Sequence, residues 1–318
     1  MWKKTWGFAE GFAIGGGLLL SGLMLQWTVG PVCWDLFAFP VNLIAIVLLV
    51  VALVVMAYFR SKLYLFRWIT TPQAAVPALF YAVVLTVVMG LTRQVSSTAD
   101  PIDPLGISKM LSFWPFVLSY LWMSVIVGEI AIVQIIRLVR SEMPLSQRFY
   151  MLPSLVCHIG LFIVVVAGTL GSADMKRLKI YTVVGEPEWR ALDEQQNIVE
   201  LPLAIELNKF ILEEWEGDSI EQRTPKRFAS DVQVLTKSGK NIHAVIEVNK
   251  PLTVDGWKIY QYGYDYEAGV MSQISVFEVV NDSWMTVVYV GIYMLLVGSA
   301  LVFIVSQRRK GKENETLG

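Results

Sequence analysis

Hydrophobic positions follow two regimes along the chain. Six stretches are almost continuously apolar: residues 8–29, 37–59, 74–91, 112–136, 149–171 and 284–305. Each comes close to the roughly 20 residues that a helix needs to cross a bilayer. The third is short and contains Pro77. The basic opening MWKK resembles the start of a signal sequence. The apolar run after it is too long for one, and no small-x-small cleavage site follows, so it is expected to persist as a first span. Residues 172–283 read differently. Apolar and polar residues alternate in LAIELNKFILEEW (203–215), FASDVQVLTKSGKNIHAVIEV (228–248), GWKIYQYGYDY (256–266) and MSQISVFEVV (271–280). That period of two is the signature of strands, and the KSGK at 237–240 reads as a hairpin turn. The polar stretch 184–200 reads as loop.

The expected fold is therefore a polytopic α-helical membrane protein with about six transmembrane helices and an antiparallel β-sandwich or barrel-like domain outside the membrane. The expected divisions are 1–171 with five spans, 172–283 as the β domain, and 284–318 as the sixth span with a basic tail.

Composition agrees with this picture. Of the 318 residues 55% are hydrophobic and 17% charged, and mean hydropathy is +0.53. A soluble chain carries about 25% charged residues. The net charge of −1 gives no reason to expect a nucleic-acid partner. Cys33 and Cys157 sit in unlike surroundings and cannot plausibly bridge, and no C-x-x-C pair occurs.

Charge orients the spans. Lys3, Lys4, Arg60, Lys62, Arg67, Arg137, Arg140, Arg148, Arg308, Arg309, Lys310 and Lys312 fall on one side; only Arg93 and Lys109 fall in the opposite short loops. The cation-rich side is the cytoplasmic one, which makes both termini cytoplasmic and the β domain extracytoplasmic. Trp34, Trp114 and Trp284 lie near the expected outer boundary, as interfacial anchors do. Residues 172–283 hold 19 Asp and Glu against 12 Lys and Arg. Such a surface attracts basic segments, although solvated acidity accounts for it equally well.

The candidate chemistry begins with His158, in the middle of LPSLVCHIGLFIVVVAG (152–168). It lies about 13 Å into the fifth span. An imidazole at that depth needs a proton donor or a metal for its lone pair. Three readings stay open: a structural bond to a neighbouring helix, an axial ligand to haem iron, and a proton relay. The other histidine, His243, is placed on a strand of the outside domain, as a surface or half-buried residue. Cys157 points about 100° away from His158 around the helix. If haem binds at His158, its second axial ligand must therefore come from another subunit.

Other residues carry weaker signals. Glu129 sits in the fourth span, where it reads as a carboxylate near the inner interface, paired with an arginine such as Arg137, or as part of a haem or proton pathway. Glu10 reads as interfacial. Tyr260, Tyr262, Tyr264 and Tyr266 alternate, so one strand face is expected to carry four tyrosines, as ordinary cross-strand packing or as a platform for haem or peptide. Asn249 and Pro251 read as turn residues. GFAIGGG (11–17) suits close helix packing.

These pieces add up to a resemblance. ELPLAIEL (200–207), RFASDVQVLTKSGK (227–240), IEVNKPLTVDGWKIYQYGYD (246–265), the His-Ile-Gly at 158–160, GSADMKRLKIYTVVGEPEWRALD (171–193) and FAFPVNLI (37–44) resemble the ResB/CcsB family of cytochrome c biogenesis proteins of the second bacterial pathway. The resemblance implies a stand-alone ResB-like subunit in a bacterial inner membrane, partnering a CcsA-type protein, because this chain has no W-G-x-x-W-x-W-D loop. It implies that haem b is carried outward and presented to apocytochrome c, that His158 is a haem-iron ligand, and that the partner supplies the opposing histidine. Any catalysis would be that of the haem lyase complex, with this chain as a non-catalytic or co-catalytic subunit. Family members usually have about four spans and a larger outside domain, and that departure suggests a compact form. A competing function is a haem-free membrane scaffold that docks apocytochrome or a partner through its β domain. A transporter or sensor ranks last, since the spans show few polar or broken helices.

Overall fold

A computed structural model describes residues 5–95, 99–140, 145–215 and 225–315, with side chains except at 145–147 and 307–315. Lys3 and Lys4, and the tail cations Arg308, Arg309, Lys310 and Lys312, lie outside the described side chains. The chain divides into two compact units, residues 1–174 with 284–318, and 175–283.

The first unit is helical. Its elements are α1 (Phe8–Val29), α2 (Val41–Phe59), a short α3 (Tyr64–Trp68), α4 (Pro72–Leu91), α5 (Trp114–Arg140), α6 (Leu145–Gly171) and α7 (Met285–Glu315). Six of them are long and apolar enough to cross a membrane, so this is a multi-pass membrane protein. All six apolar stretches become helices, five with ends shifted by a few residues and the last continuing ten residues further, to Glu315. Pro77 is accommodated inside α4, where it is buried.

α5 is the hub of the unit and packs on α1, α2, α4 and α6. Contacts between helices run through small residues. A Cβ added at Gly11 would strike the Gln73 carbonyl at 2.3 Å, one at Gly15 the Tyr81 ring, and one at Gly22 the Pro115 backbone. The GFAIGGG cluster thus contributes Gly11 and Gly15 to packing, while Gly17 faces open space. α6 and α7 meet closely at Gly160 and Gly291, and again where Gly298 faces Cys157. A Cβ on Gly160 would lie 2.8 Å from the Gly291 carbonyl, and one on Gly291 would lie 2.9 Å from the Gly160 carbonyl. Small residues let backbones approach where lipid gives helices no hydrophobic reason to associate.

The three tryptophans expected at the outer boundary each donate an indole N–H at a helix end. Trp34 bonds the Leu111 carbonyl at 3.1 Å, Trp114 the Gly30 carbonyl at 2.9 Å, and Trp284 the Asp174 carboxylate at 2.6 Å. An amphipathic ring with its polar edge satisfied suits the membrane–water boundary.

The second unit is one eight-stranded antiparallel sheet: β1 (Lys176–Val183), β2 (Pro187–Leu192), β3 (Ile198–Glu214), β4 (Pro225–Thr236), β5 (Asn241–Glu247), β6 (Leu252–Val254), β7 (Trp257–Tyr264) and β8 (Ile274–Asn281). The strand order is β5-β4-β3-β2-β1-β8-β7-β6. β5 also packs on β7 near the other edge, so the sheet curls into a nearly closed barrel. Its core is apolar: Ile180, Ile205, Leu207, Val232, Val234, Ile246, Ile259, Phe277 and Val279 are fully buried. The KSGK turn joins β4 to β5, with Gly239 at φ +83°. Asn249, at φ +64°, turns the chain from β5 towards β6.

Two expectations fail here. The stretch 184–200 is not all loop: β2 runs through it, and β3 begins at Ile198. Only Ala191 of β2 is buried, so the strand has almost no apolar face to announce it; its backbone is held by pairing with β1 and β3. Nor do the four tyrosines share a face. The pairing register of β7 slips between Gln261 and Gly263, and a bulge reverses alternation from that point. Tyr262 stays outside under the Lys179 ammonium, 4.0 Å from its ring centre, while Tyr264 turns in and stacks on Phe210 at 4.8 Å.

Candidate functional site in the membrane unit

α6 carries His158 one helical turn after Ser154. The imidazole Nδ1 lies 2.7 Å from the Ser154 carbonyl oxygen. A carbonyl only accepts, so Nδ1 must carry the ring proton and Nε2 the lone pair. The ring is half-buried, and among the described residues no hydrogen bond reaches Nε2. The Ser154 hydroxyl stands 3.3 Å from the same Nδ1 and accepts from the Gln134 amide at 3.3 Å. A short polar chain therefore runs from α5 to the back of the histidine.

A ring with its proton at Nδ1 could hold a metal through Nε2, and a donor bond at Nδ1 would orient it for that role. Phe162 lies one turn further along α6 and packs against Gly128 of α5. The α7 contact falls on the opposite side of α6, at Gly160. No carboxylate among the described residues is within hydrogen-bonding reach of the ring, and no group of three or more His, Cys, Asp or Glu gathers there. His243 belongs to the β unit, where its Nε2 meets the Asp231 carboxylate at 2.7 Å and the ring is exposed. Cys33 and Cys157 are both free thiols.

Glu129 departs from the expectation of an interfacial or ion-paired carboxylate. It is 0% exposed in the middle of α5, and among the described residues neither carboxylate oxygen has a hydrogen-bond partner. The charge acting on it is that of Arg60, at the end of α2, rather than Arg137. α5 is the one central helix, so a residue on it can lie at interfacial depth by sequence and still be walled off by neighbours. Glu10 caps α1 by accepting the Gly7 amide at 2.7 Å.

Sequence reasoning missed Asp174. Its carboxylate accepts the Phe39 amide at 2.6 Å, the Asn42 side-chain amide at 2.7 Å and the Trp284 indole at 2.6 Å. One residue thus ties the entry of α2 and the start of α7 to the end of α6. Asn42, fully buried at the start of an apolar run, was the signal that a partner existed.

Residues 148–273 match the ResB-like family. Over this segment, which is less than half of the chain, the sequence is similar to that family. The ResB-like segment starts inside α6, includes His158, and runs through β7 to the approach to β8. Two relatives called Cytochrome c biogenesis protein CcsB, from Prochlorococcus marinus strains NATL1A and NATL2A, are each 30% identical over 114 residues. The alignment covers 36% of this chain and spans only 25% of the length of each relative. Among solved structures, one called Cytochrome c Heme Lyase CcmF aligns over 73% of this chain and 40% of its own, with 11% identity and a TM-score of 0.37. At that level the likeness carries no argument.

Proposed function

We propose that this ResB-like chain is a subunit of a membrane complex for cytochrome c biogenesis, holding haem through His158 as it is handed to apocytochrome c. One observation carries the reading: the only histidine of the membrane unit has its Nδ1 proton committed to its own helix, which leaves Nε2 as a lone pair inside the apolar region. The names of the CcsB relatives and the place of His158 within the ResB-like segment support it. Haem is here a cargo. The chain offers a single ligand, so a CcsA-type partner contributes the opposing one. The cation bias of the short loops supports cytoplasmic termini and an extracytoplasmic β domain in a bacterial inner membrane. The acidic β domain would face the basic apocytochrome.

The test is co-expression with a CcsA-type partner, with and without His158→Ala. Haem absorbance of the purified pair and the yield of covalently haem-loaded cytochrome are both read. Loss of most of the haem absorbance together with the yield is the expected outcome. Full absorbance in the variant would sink the haem-ligand reading and favour a haem-free scaffold.

A further inference from the structure

A cleft of about 480 Å³ opens between the end of α2, α3 and the end of α5. Four arginines line it: Arg60, Arg67, Arg137 and Arg140; Tyr58 and Ile136 add apolar wall. Among the described residues, none of the four has a carboxylate within ion-pairing distance. Arg60 donates to the Thr70 hydroxyl at 2.9 Å, and its buried Nε has no partner among the described residues.

The cluster is electrostatically coupled. Burial and the charge of Arg137 pull the pKa of Arg60 below the usual guanidinium value; Glu129 opposes this and Arg67 adds to it. Residues 129, 133, 136, 137 and 140 repeat at helical spacing, so one stripe of α5 leads from the buried carboxylate to the arginine mouth. A helix C-terminus favours a cation in its last turn. That explains an arginine at the end of α2 and another on α5, but not four around one cavity. Like charges so placed repel, and an anion shared among them removes the repulsion.

The surroundings say which anion. The cleft lies at helix ends, beside apolar side chains that face outward: Val54 and Val55 on α2, Ile135 and Val139 on α5. A charged head with aliphatic tails suits both surfaces. Guanidinium forks pair with phosphate through two parallel hydrogen bonds. Basic pockets between spanning helices are suited to acidic lipid heads. We propose that this cleft binds the phosphate headgroup of an acidic phospholipid, and a lipid with two phosphates more tightly than one with a single phosphate. The site is separate from His158 and does not depend on its role.

The experiment uses the full chain in mild detergent, with lipid binding followed by native mass spectrometry and by the lipid-induced rise in Tm. The probes are cardiolipin, phosphatidylglycerol, phosphatidylcholine, inorganic phosphate and haem. Expected affinities fall in the order cardiolipin, phosphatidylglycerol, phosphatidylcholine. The double variant Arg67→Gln/Arg137→Gln should lose about 25-fold in cardiolipin affinity, about fivefold for each cation. The single variant Arg140→Gln, at an exposed helix end, keeps the test available if the double variant fails to fold, and should lose about fivefold. Arg308→Gln/Arg309→Gln in the basic tail should leave the affinity unchanged. An equal loss from the tail pair would reduce the effect to general surface attraction and overturn the site. Displacement of cardiolipin by millimolar inorganic phosphate would reassign the cleft to a free anion, and competitive displacement by haem would reassign it to the cargo's carboxylates. His158→Ala should leave cardiolipin binding intact, so that failure of the haem reading and failure of the lipid site give different results.

Discussion

The two units of this protein differ in the balance of what they bury. In the β unit the fully buried set is mainly aliphatic and aromatic, with Ile180, Ile205, Leu207, Val232, Val234, Ile259 and Phe277, beside a small polar group of Thr182, Ser230 and Ser275. In the membrane unit the buried set includes Ala74, Ala78, Asn42, Ser119, Ser124 and Glu129, while Leu48, Val54 and Phe80 stand half or more exposed. The difference follows from the solvent. Water drives apolar surface into the barrel interior at about 25 cal/mol per Å². Lipid offers leucine the same surroundings as a protein core, so helices associate through close packing and hydrogen bonds instead. Burial follows hydrophobicity closely in the β unit and only loosely in the membrane unit, where long apolar side chains stand exposed.

The largest expected effect tests the aqueous half of this contrast. Phe277 is 0% exposed, and Phe277→Ala should cost about 3–5 kcal/mol through lost transfer energy and a residual cavity. Hydrogen exchange on the full chain should show protection lost in β1, β7 and β8, which pair on either side of it. Protection that stayed at the wild-type level would mean the barrel core is not the source of that unit's stability.

Next comes the membrane half, where adding atoms should do harm. Gly291→Val must displace the Gly160 carbonyl and the Val164 side chain, at a cost of about 1–3 kcal/mol. A lower Tm in detergent and loss of the α6–α7 contact in cross-linking are expected. If valine were tolerated, the glycine seam would not be what holds these helices together.

A smaller effect concerns the loop between α4 and α5. Burial pushes the Asp103 carboxyl up, but bonds from the Ser108 hydroxyl and the amides of Ser108, Ile107 and Gly106 outweigh it and hold the pKa at about 2. The folded value lies below the ordinary one near 3.9. The contribution is therefore complete above about pH 4 and fades as pH falls towards about 2. Amide exchange at Ile107 and Ser108 should accelerate across that window in the wild type, and Asp103→Asn should remove the pH dependence. The same acceleration in the variant would exclude Asp103 as its cause.

The smallest effect closes the comparison. Leu48 on α2 is 63% exposed in the chain and faces what would be lipid. Leu48→Ala should change stability by less than about 0.5 kcal/mol, as at an ordinary surface position. A loss near that of Phe277→Ala would show that this face is covered by protein.

Much of the architecture was legible from the residues alone. Six continuous apolar runs mark six helices, because a span must satisfy its backbone internally and be greasy throughout. Alternation marks β3, β4, β5, β7 and β8, because a half-buried strand shows its period in its side chains. His158 stood out for the cost of placing imidazole in hydrocarbon. Where those signals are weak, legibility stops. β2 has one buried side chain, so nothing in its composition separates it from loop; its neighbours make it a strand. The bulge at Tyr262–Gly263 is a register event, visible only once β7 lies against β8, and it decides which tyrosines turn inward.

The sequence by itself determined the elements, the cation asymmetry and the single histidine of the membrane unit, since each depends on local chemistry and on transfer between water and lipid. Only the tertiary structure decided that Glu129 is sealed in, that Asp174 gathers three donors, and that four arginines separated by up to about 80 residues share one cleft. Those facts depend on which helix faces which. In a membrane that choice rests on small residues and hydrogen bonds, whose partners are not written in any one segment of the chain.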